Sequence, residues 1–341
     1  MNQDILNSNC GGALGCPTPL AQKEKREGSF KKKKILVIAG PTATGKTELS
    51  LRIASGIGGE IISCDSMQVY RNADIGSAKP TKQELKSISH HLIDIRDITE
   101  PFNVADFYEE ATSSLEEILL RNKIPISVGG AGFYVHTFLY GPPKGPASDK
   151  EIRGKLEADL EKFGVEMLYG KLYELDPDYA KCITVQDKHK IIRALEIILI
   201  TGKKVSEIPK PSEEDLAKEF DFRCWFIYYP KPILYPRIES RCDQMIERGL
   251  IEEVISLREG LKQNSAASNA IGYRQAIKYL DSPQLDNDWK HFVSTFKQAS
   301  RNYAKRQFTW FRREPLFKWL DLSLSSIEHA AEIIIRDLEQ N

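Results

Sequence analysis

Between residues 35 and 54 an apolar run, a glycine loop and a helix-like repeat follow one another without a break. Ile35-Leu36-Val37-Ile38-Ala39 is short and uniformly apolar, which suits a strand buried on both faces of a parallel sheet. Gly40-Pro41-Thr42-Ala43-Thr44-Gly45-Lys46-Thr47 follows in the pattern G-x-x-x-x-G-K-T, and Glu48-Leu49-Ser50-Leu51-Arg52-Ile53-Ala54 then carries apolar residues at helical spacing. In such a junction the glycines let successive N–H groups turn toward a phosphate. The following helix adds its positive dipole end, and Lys46 adds a full charge. Thr47 offers a hydroxyl to Mg2+. The pattern predicts a bound di- or triphosphate and leaves open whether a phosphoryl group moves or pyrophosphate departs.

Short apolar runs recur at residues 60–63, 92–95 and 124–128, helical stretches such as residues 104–121 lie between them, and the sheet resumes at residues 224–229. This alternation predicts an α/β fold with a P-loop NTPase-like parallel sheet core flanked by helices. Gly141-Pro142-Pro143-Lys144-Gly145-Pro146 and Pro209-Lys210-Pro211-Ser212-Glu213-Glu214 read as linkers. Between them, residues 150–163, 165–175 and 187–200 are charged and amphipathic without strand-like alternation, which predicts an all-helical insertion domain. The expected organisation is a disordered basic tail over residues 1–34, core over 35–142, helical insertion over 143–220, and core with basic carboxy-terminal helices over 221–341.

Lys plus Arg (48) equals Asp plus Glu (48) in 341 residues, so a polyanionic partner has to be held by a local concentration of charge. One candidate is the tail ending in Lys31-Lys32-Lys33-Lys34, although a charge run of this kind is more often merely solvated. The other lies from Trp289 through Arg313, where Lys290, Lys297, Arg301, Lys305, Arg306, Arg312 and Arg313 occur with no acidic residue. Lys297, Arg301 and Lys305 fall on one helix face, with Tyr303, Phe308, Trp310 and Phe311 interleaved. That combination suits RNA binding, and equally a solvated face over an aromatic core. Six scattered cysteines without C-x-x-C or metal-ligand spacing fit free thiols in a reducing cytosol, and no apolar run approaches a membrane span. A cytoplasmic protein is expected. No symmetric interface is legible, and a monomer is expected.

The second strand ends in Ser63-Cys64-Asp65-Ser66-Met67-Gln68-Val69-Tyr70. Ligands in open α/β sheets bind beyond the carboxyl ends of the strands, which places Asp65 near the phosphate loop. A carboxylate there binds Mg2+ through water, caps a helix, or takes a proton from an acceptor nucleophile.

Taken together, Gly40 to Thr47, Asp65 to Tyr70, Asp74-Ile75-Gly76-Ser77-Ala78-Lys79-Pro80, His91-Leu92-Ile93-Asp94, Val128-Gly129-Gly130, Arg193-Ala194-Leu195-Glu196, Gly272-Tyr273-Arg274-Gln275 and Ala304-Lys305-Arg306-Gln307 resemble the tRNA dimethylallyltransferase family, in family order. The resemblance covers about residues 35–320. It implies transfer of a dimethylallyl group from its diphosphate to N6 of adenosine 37, beside the anticodon, with release of diphosphate. By similarity residues 40–47 grip the diphosphate with Mg2+ on Thr47, Lys46 and Arg241 stabilise the leaving charge, and Asp65 is the proton acceptor. Contacts with the tRNA anticodon stem-loop carry over to Asp65, Ser66, Met67 and Gln68, to Ala131 and Arg153, to His189, Lys190, Ile191, Ile192 and Arg193, and to Asn269, Ala270, Ile271, Gly272, Tyr273 and Arg274.

The chain departs from the family pattern at three places. Ala131 stands where a threonine is usual, which removes a hydroxyl expected near the reacting centre. Residues 185–190 differ from the usual insertion motif, and Asn269 replaces a common arginine. A small-molecule kinase, an isopentenyltransferase acting on free adenine nucleotides, and a catalytically weakened tRNA-binding relative are the competing readings.

Overall fold

The computed structural model describes residues 32–208 and 220–340; of the tail expected over residues 1–34, residues 1–31 lie outside the described residues, as does the linker beginning at Pro209, while Lys33 and Lys34 belong instead to the first strand. Six strands, β1 (Lys33–Ala39), β2 (Gly59–Cys64), β3 (His90–His91), β4 (Ile124–Gly129), β5 (Phe220–Tyr228) and β6 (Phe317–Asp321), form one sheet in the order β3-β2-β4-β1-β5-β6. Every pairing is parallel. β1 lies between β4 and β5, with helices on both faces, which is why Ile35 to Ala39 carry no polar residue.

Helices Lys46–Ile57 and Ile327–Glu339 cover one face, burying Leu49, Ile53, Ile334 and Leu338 against Leu36 and Ile38. On the other face Phe107, Phe138, Ile238, Phe296 and Phe308 pack against Ile35 and Val37, drawn from helices Val104–Leu120, Gly132–Tyr140, Lys231–Glu247 and Asp286–Phe311. Register brings Ala39 opposite both Gly129 and Phe226, and Gly129 opposite Cys64. The loops that begin at Gly40, Asp65 and Gly130 therefore leave the sheet side by side at its carboxyl end.

The predicted insertion is helical: Lys150–Phe163, Val165–Leu175, Pro177–Lys181 and Lys188–Thr201 pack around Leu156, Leu168, Leu172, Ile191 and Leu195 as a core of their own. The strand expected at residues 92–95 is cut short. Leu92 and Asp94 take left-handed φ values of 63° and 57°, and Asp94 turns aside to meet the buried ammonium of Lys79 at 2.6 Å. Lys79 also bonds Asp74 and the carbonyl of Tyr70, so this family-like lysine holds the fold together. β6 was not expected: its short Phe-Lys-Trp-Leu-Asp run is an edge strand that buries mainly Phe317 and pairs only with β5.

Glu60, at the amino end of β2, is buried among Arg121, His91 and Lys123, which lie 2.8, 2.8 and 3.2 Å away. Burial alone would raise its carboxyl pKa, but these hydrogen bonds prevail and lower it to about 2. The folded value is depressed, so its stabilisation is present above the ordinary 4.5 and is lost as pH falls from there to about 2. Glu60→Gln is expected to flatten acid unfolding across that window and to cost on the order of 3 kcal/mol at neutral pH, as measured by urea unfolding at pH 7 and pH 3.

Candidate active site

The phosphate loop closes on itself before any ligand enters. Gly40 leaves β1 so close to β5 that a Cβ would sit 2.4 Å from the carbonyl oxygen of Ile227. The loop turns through left-handed conformations at Ala43 (φ 64°) and Gly45 (φ 86°), and Gly45 caps the amino terminus of helix Lys46–Ile57. Thr44 Oγ1 donates to the carbonyl of Pro41 at 2.8 Å, and Arg237 Nε donates to the carbonyl of Ala43 at 3.1 Å while its guanidinium lies over the Tyr229 ring. Lys46 Nζ donates to the carbonyls of Gly40 and Pro41 at 2.9 and 2.7 Å. Burial, reinforced by the charge of Arg241 and opposed by Asp65, lowers the Lys46 pKa to about 7.

Residues 42–47 line a cavity of about 190 Å³ together with Asp65, Gln68, Ser77, Gly129, Gly130, Arg241, Tyr303 and Gln307. Arg241 reaches it from helix Lys231–Glu247, and burial pushes its pKa down. It forms no hydrogen bond or ion pair with the described residues, so its donors are available to an anion. Asp65 Oδ1 accepts from the backbone N–H groups of Met67 (2.8 Å) and Gln68 (3.4 Å), while Oδ2 has no protein hydrogen bond among the described residues. No helix starts at Asp65, so the helix-cap reading gives way to a turn: Oδ1 fixes the backbone of Met67 and Gln68, and Oδ2 is left without a hydrogen-bond partner among the described residues. Thr47 also lines the cavity, and its hydroxyl has no hydrogen-bond partner among the described residues.

A second compartment, of about 320 Å³, shares Thr42, Asp65, Ser77, Arg241 and Tyr303 with the first. Its remaining wall is Ser66, Met67, Ile238, Met245, Asn269, Ala270, Ile271, Phe296 and Arg306, among others, and mixes polar with apolar surface where the phosphate cradle is mainly polar. The structure therefore brings Lys46, Thr47, Asp65, Ser66, Met67, Gln68, Arg241, Asn269, Ala270 and Ile271 to one bipartite site.

Other expected contacts have different neighbours. Tyr273 is fully buried: its hydroxyl donates to Glu253 at 2.7 Å, and its ring fills the space that a side chain at Gly76 would need. Glu253 in turn accepts from the N–H groups of Asp74, Ile75 and Gly76, so Tyr273 braces that loop instead of presenting a ring to RNA. Gly272 is buried as the cap of helix Tyr273–Leu280, and only Arg274 of this trio is exposed. In the insertion, Ile191 and Ile192 face its core, and Arg193 is committed to buried Glu196 (2.7 Å) and the carbonyl of Pro146 (2.6 Å). His189 and Lys190 are exposed; Arg153 is half-buried and bonds Glu157. None of these insertion residues lines either compartment. Ala131 caps helix Gly132–Tyr140 without a side-chain hydrogen bond, packed against the core beside Gly130.

The basic helix is also divided. Lys297 pairs with Asp243 at 2.7 Å and Arg301 with Glu239, both on helix Lys231–Glu247, so these charges clamp two helices and are not free for a phosphate backbone. Phe308 and Phe311 are core.

Gln307 was not singled out from the sequence as a site residue, although it ends a quoted motif. Its Oε1 accepts from the Thr42 N–H at 3.2 Å and its Nε2 donates to the Gly130 carbonyl at 2.9 Å, tying the phosphate loop to the end of β4. A Cβ at Gly130 would lie 2.2 Å from that nitrogen, which explains the glycine. Gln307→Leu leaves the buried Gly130 carbonyl without a donor and is expected to cost about 1–3 kcal/mol of stability. It should also raise KM for the diphosphate donor about tenfold, with tRNA affinity unchanged; thermal melting and steady-state kinetics check the two effects.

Residues 68–314 match the family described as IPP transferase. The chain is 53% identical over 309 residues to the tRNA dimethylallyltransferase of Protochlamydia amoebophila, covering 90% of each, and 45% identical over 321 residues to that of Chlamydia caviae, covering 94% of each. Among solved structures it is similar to the full-length tRNA isopentenylpyrophosphate transferase of Bacillus halodurans, with TM-score 0.65, 38% identity, and 90% of this chain and 97% of that one covered. It is also similar to a eukaryotic dimethylallyltransferase acting on tRNA, with TM-score 0.71, 29% identity, and 89% of this chain and 80% of that one covered. Matched over residues 68–314 and 53% identical to a relative over nine-tenths of its length, the chain belongs to the IPP transferase family.

Proposed function

We infer that this chain is a tRNA dimethylallyltransferase, moving the dimethylallyl group of dimethylallyl diphosphate to N6 of adenosine 37 and releasing diphosphate. The observation that carries the reading is that Asp65 and Arg241 belong to both compartments. A diphosphate seated on residues 40–47 directs its allylic carbon toward Asp65, and a nucleobase entering past Ser66, Met67 and Asn269 reaches the same point. Adenosine 37 leaves its stack to do so, as in other base-modifying enzymes.

The exocyclic amine of adenine is a weak nucleophile because its lone pair is delocalised into the ring. Oδ2 of Asp65 accepts the proton that N6 loses as the new C–N bond forms. The C–O bond of the donor breaks, and its electron pair stays on the diphosphate. Lys46, Arg241 and the N–H groups of the loop stabilise that charge where it develops. The Thr47 hydroxyl, without a partner among the described residues, is an oxygen donor that suits Mg2+, which would neutralise diphosphate charge when bound. The exposed His189 of the insertion, Lys190 beyond its 3.6 Å surface pair with Asp187, and exposed Arg274, three residues past Ile271 in the second compartment's wall, are the insertion and core groups open to the anticodon stem-loop.

Labelled dimethylallyl diphosphate offered with tRNA and with AMP tests the assignment. Label in tRNA alone is expected. Label in AMP alone, or phosphoryl transfer from ATP to either acceptor, would remove it in favour of the nucleotide-directed or kinase readings.

A further inference from the structure

Beyond the clamp formed by Lys297 and Arg301, helix Asp286–Phe311 has a second set of cations. Lys305, Arg306, Arg312 and Arg313 are exposed and have no acidic partner among the described residues. Asn302, Arg306 and Trp310 recur four residues apart and form one stripe on the helix surface, continued by Arg313 in the turn that follows. The stripe starts at the chemistry, since Arg306 lines the second compartment with Asp65. It ends on an aromatic pair: Trp310 and Phe133 are 39% and 42% exposed, with ring centroids 6.3 Å apart in an edge-to-face arrangement. Trp310 packs directly on the backbone of Gly132, where a Cβ would lie 2.5 Å from its ring, so the platform is fixed two residues beyond the cavity wall at Gly130.

Two exposed aromatic rings flanked by guanidinium groups without acidic partners among the described residues, Arg306 lying over the Tyr303 ring, match the two surfaces of an unpaired nucleotide, a π-face and a phosphate. The stretch from Trp289 through Arg313 contains no acidic residue, and Glu314, which follows it, is buried and bonded to His136 at 3.0 Å. Resting on the function inferred above, we propose that Phe133 and Trp310 form a stacking platform for an unpaired nucleotide adjacent to adenosine 37, with Arg306 and Arg313 holding its phosphates. The platform keeps the neighbouring base occupied while the target base is in the chamber, and so contributes to RNA binding without touching the donor.

The test pairs protein variants with anticodon stem-loops made abasic at the nucleotide on either side of adenosine 37. For the native chain, one of the two abasic positions is expected to weaken RNA binding roughly 5- to 100-fold. Phe133→Ala and Trp310→Ala should each weaken binding of the unmodified stem-loop by a similar factor and be insensitive to that abasic position, while Trp310→Phe and Phe133→Tyr retain most of the affinity. KM for dimethylallyl diphosphate should be unchanged throughout. Because Phe133 is exposed, its variant carries the test if Trp310→Ala fails to fold. Unchanged affinity in Phe133→Ala, or an abasic penalty as large in the variant as in the native chain, overturns the platform and leaves the transferase reading standing. Failure of the native chain to prenylate tRNA at all overturns both.

Discussion

Asp65→Asn is expected to lower single-turnover transfer by roughly 10²- to 10⁴-fold, the range set by removal of a positioned general base. Affinity for tRNA should stay within about twofold, because the amide keeps the local turn: its oxygen still accepts from the N–H groups of Met67 and Gln68, as Oδ1 does now. What changes is Oδ2, which has no hydrogen-bond partner among the described residues, on a residue that lines both compartments. Rapid-quench transfer with enzyme in excess, together with filter binding, separates the two effects. Equal loss of binding and turnover would make Asp65 a structural turn residue; unchanged turnover would remove it as the proton acceptor.

Lys46→Met is expected to lower kcat/KM for the donor by about 10²- to 10³-fold, comparable to removing a strong donor from a developing anion. A pH signature accompanies it. Burial and the neighbouring charge of Arg241 lower the Lys46 pKa to about 7, and a bound diphosphate anion raises it again. Diphosphate binding therefore takes up a proton, and affinity falls as pH rises above 7, by up to about tenfold per unit until the pKa of the complex is reached. Lys46→Arg, which stays charged throughout, should bind pyrophosphate with a nearly flat profile. Calorimetric titration between pH 6 and pH 9 in buffers of different ionisation enthalpy reads both the slope and the proton uptake; a flat native profile would place Lys46 outside the diphosphate contact.

The parts of this site that the sequence discloses are those whose causes are local. A buried strand, a glycine loop and a helix start occupy consecutive residues, so the phosphate cradle is legible without any long-range information. Asp65 is legible for a different reason: a residue directly after a parallel strand has only one end of the sheet to occupy. Long-range pairing is where local reading stops. Lys297 and Arg301 resemble an RNA-facing stripe until their partners, 54 and 62 residues away, appear across the helix interface. Gln307 acquires its role from Gly130, 177 residues earlier. Tyr273, Ile191 and Ile192 sit in motifs that resemble RNA contacts, yet their side chains complete cores, and only burial distinguishes the two. β6 escapes because an edge strand with one buried face has too few residues to show a period.

In the transferase reaction carbon, not phosphorus, leaves the cradle for a nucleobase nitrogen. Nuclease digestion and mass spectrometry of tRNA incubated with the native chain, Mg2+ and dimethylallyl diphosphate test this directly. The expected product is adenosine 37 heavier by one C5H8 unit on N6, formed in equal amount with free diphosphate. An unmodified adenosine 37 beside hydrolysed donor, or an added phosphate anywhere in the RNA, would contradict it.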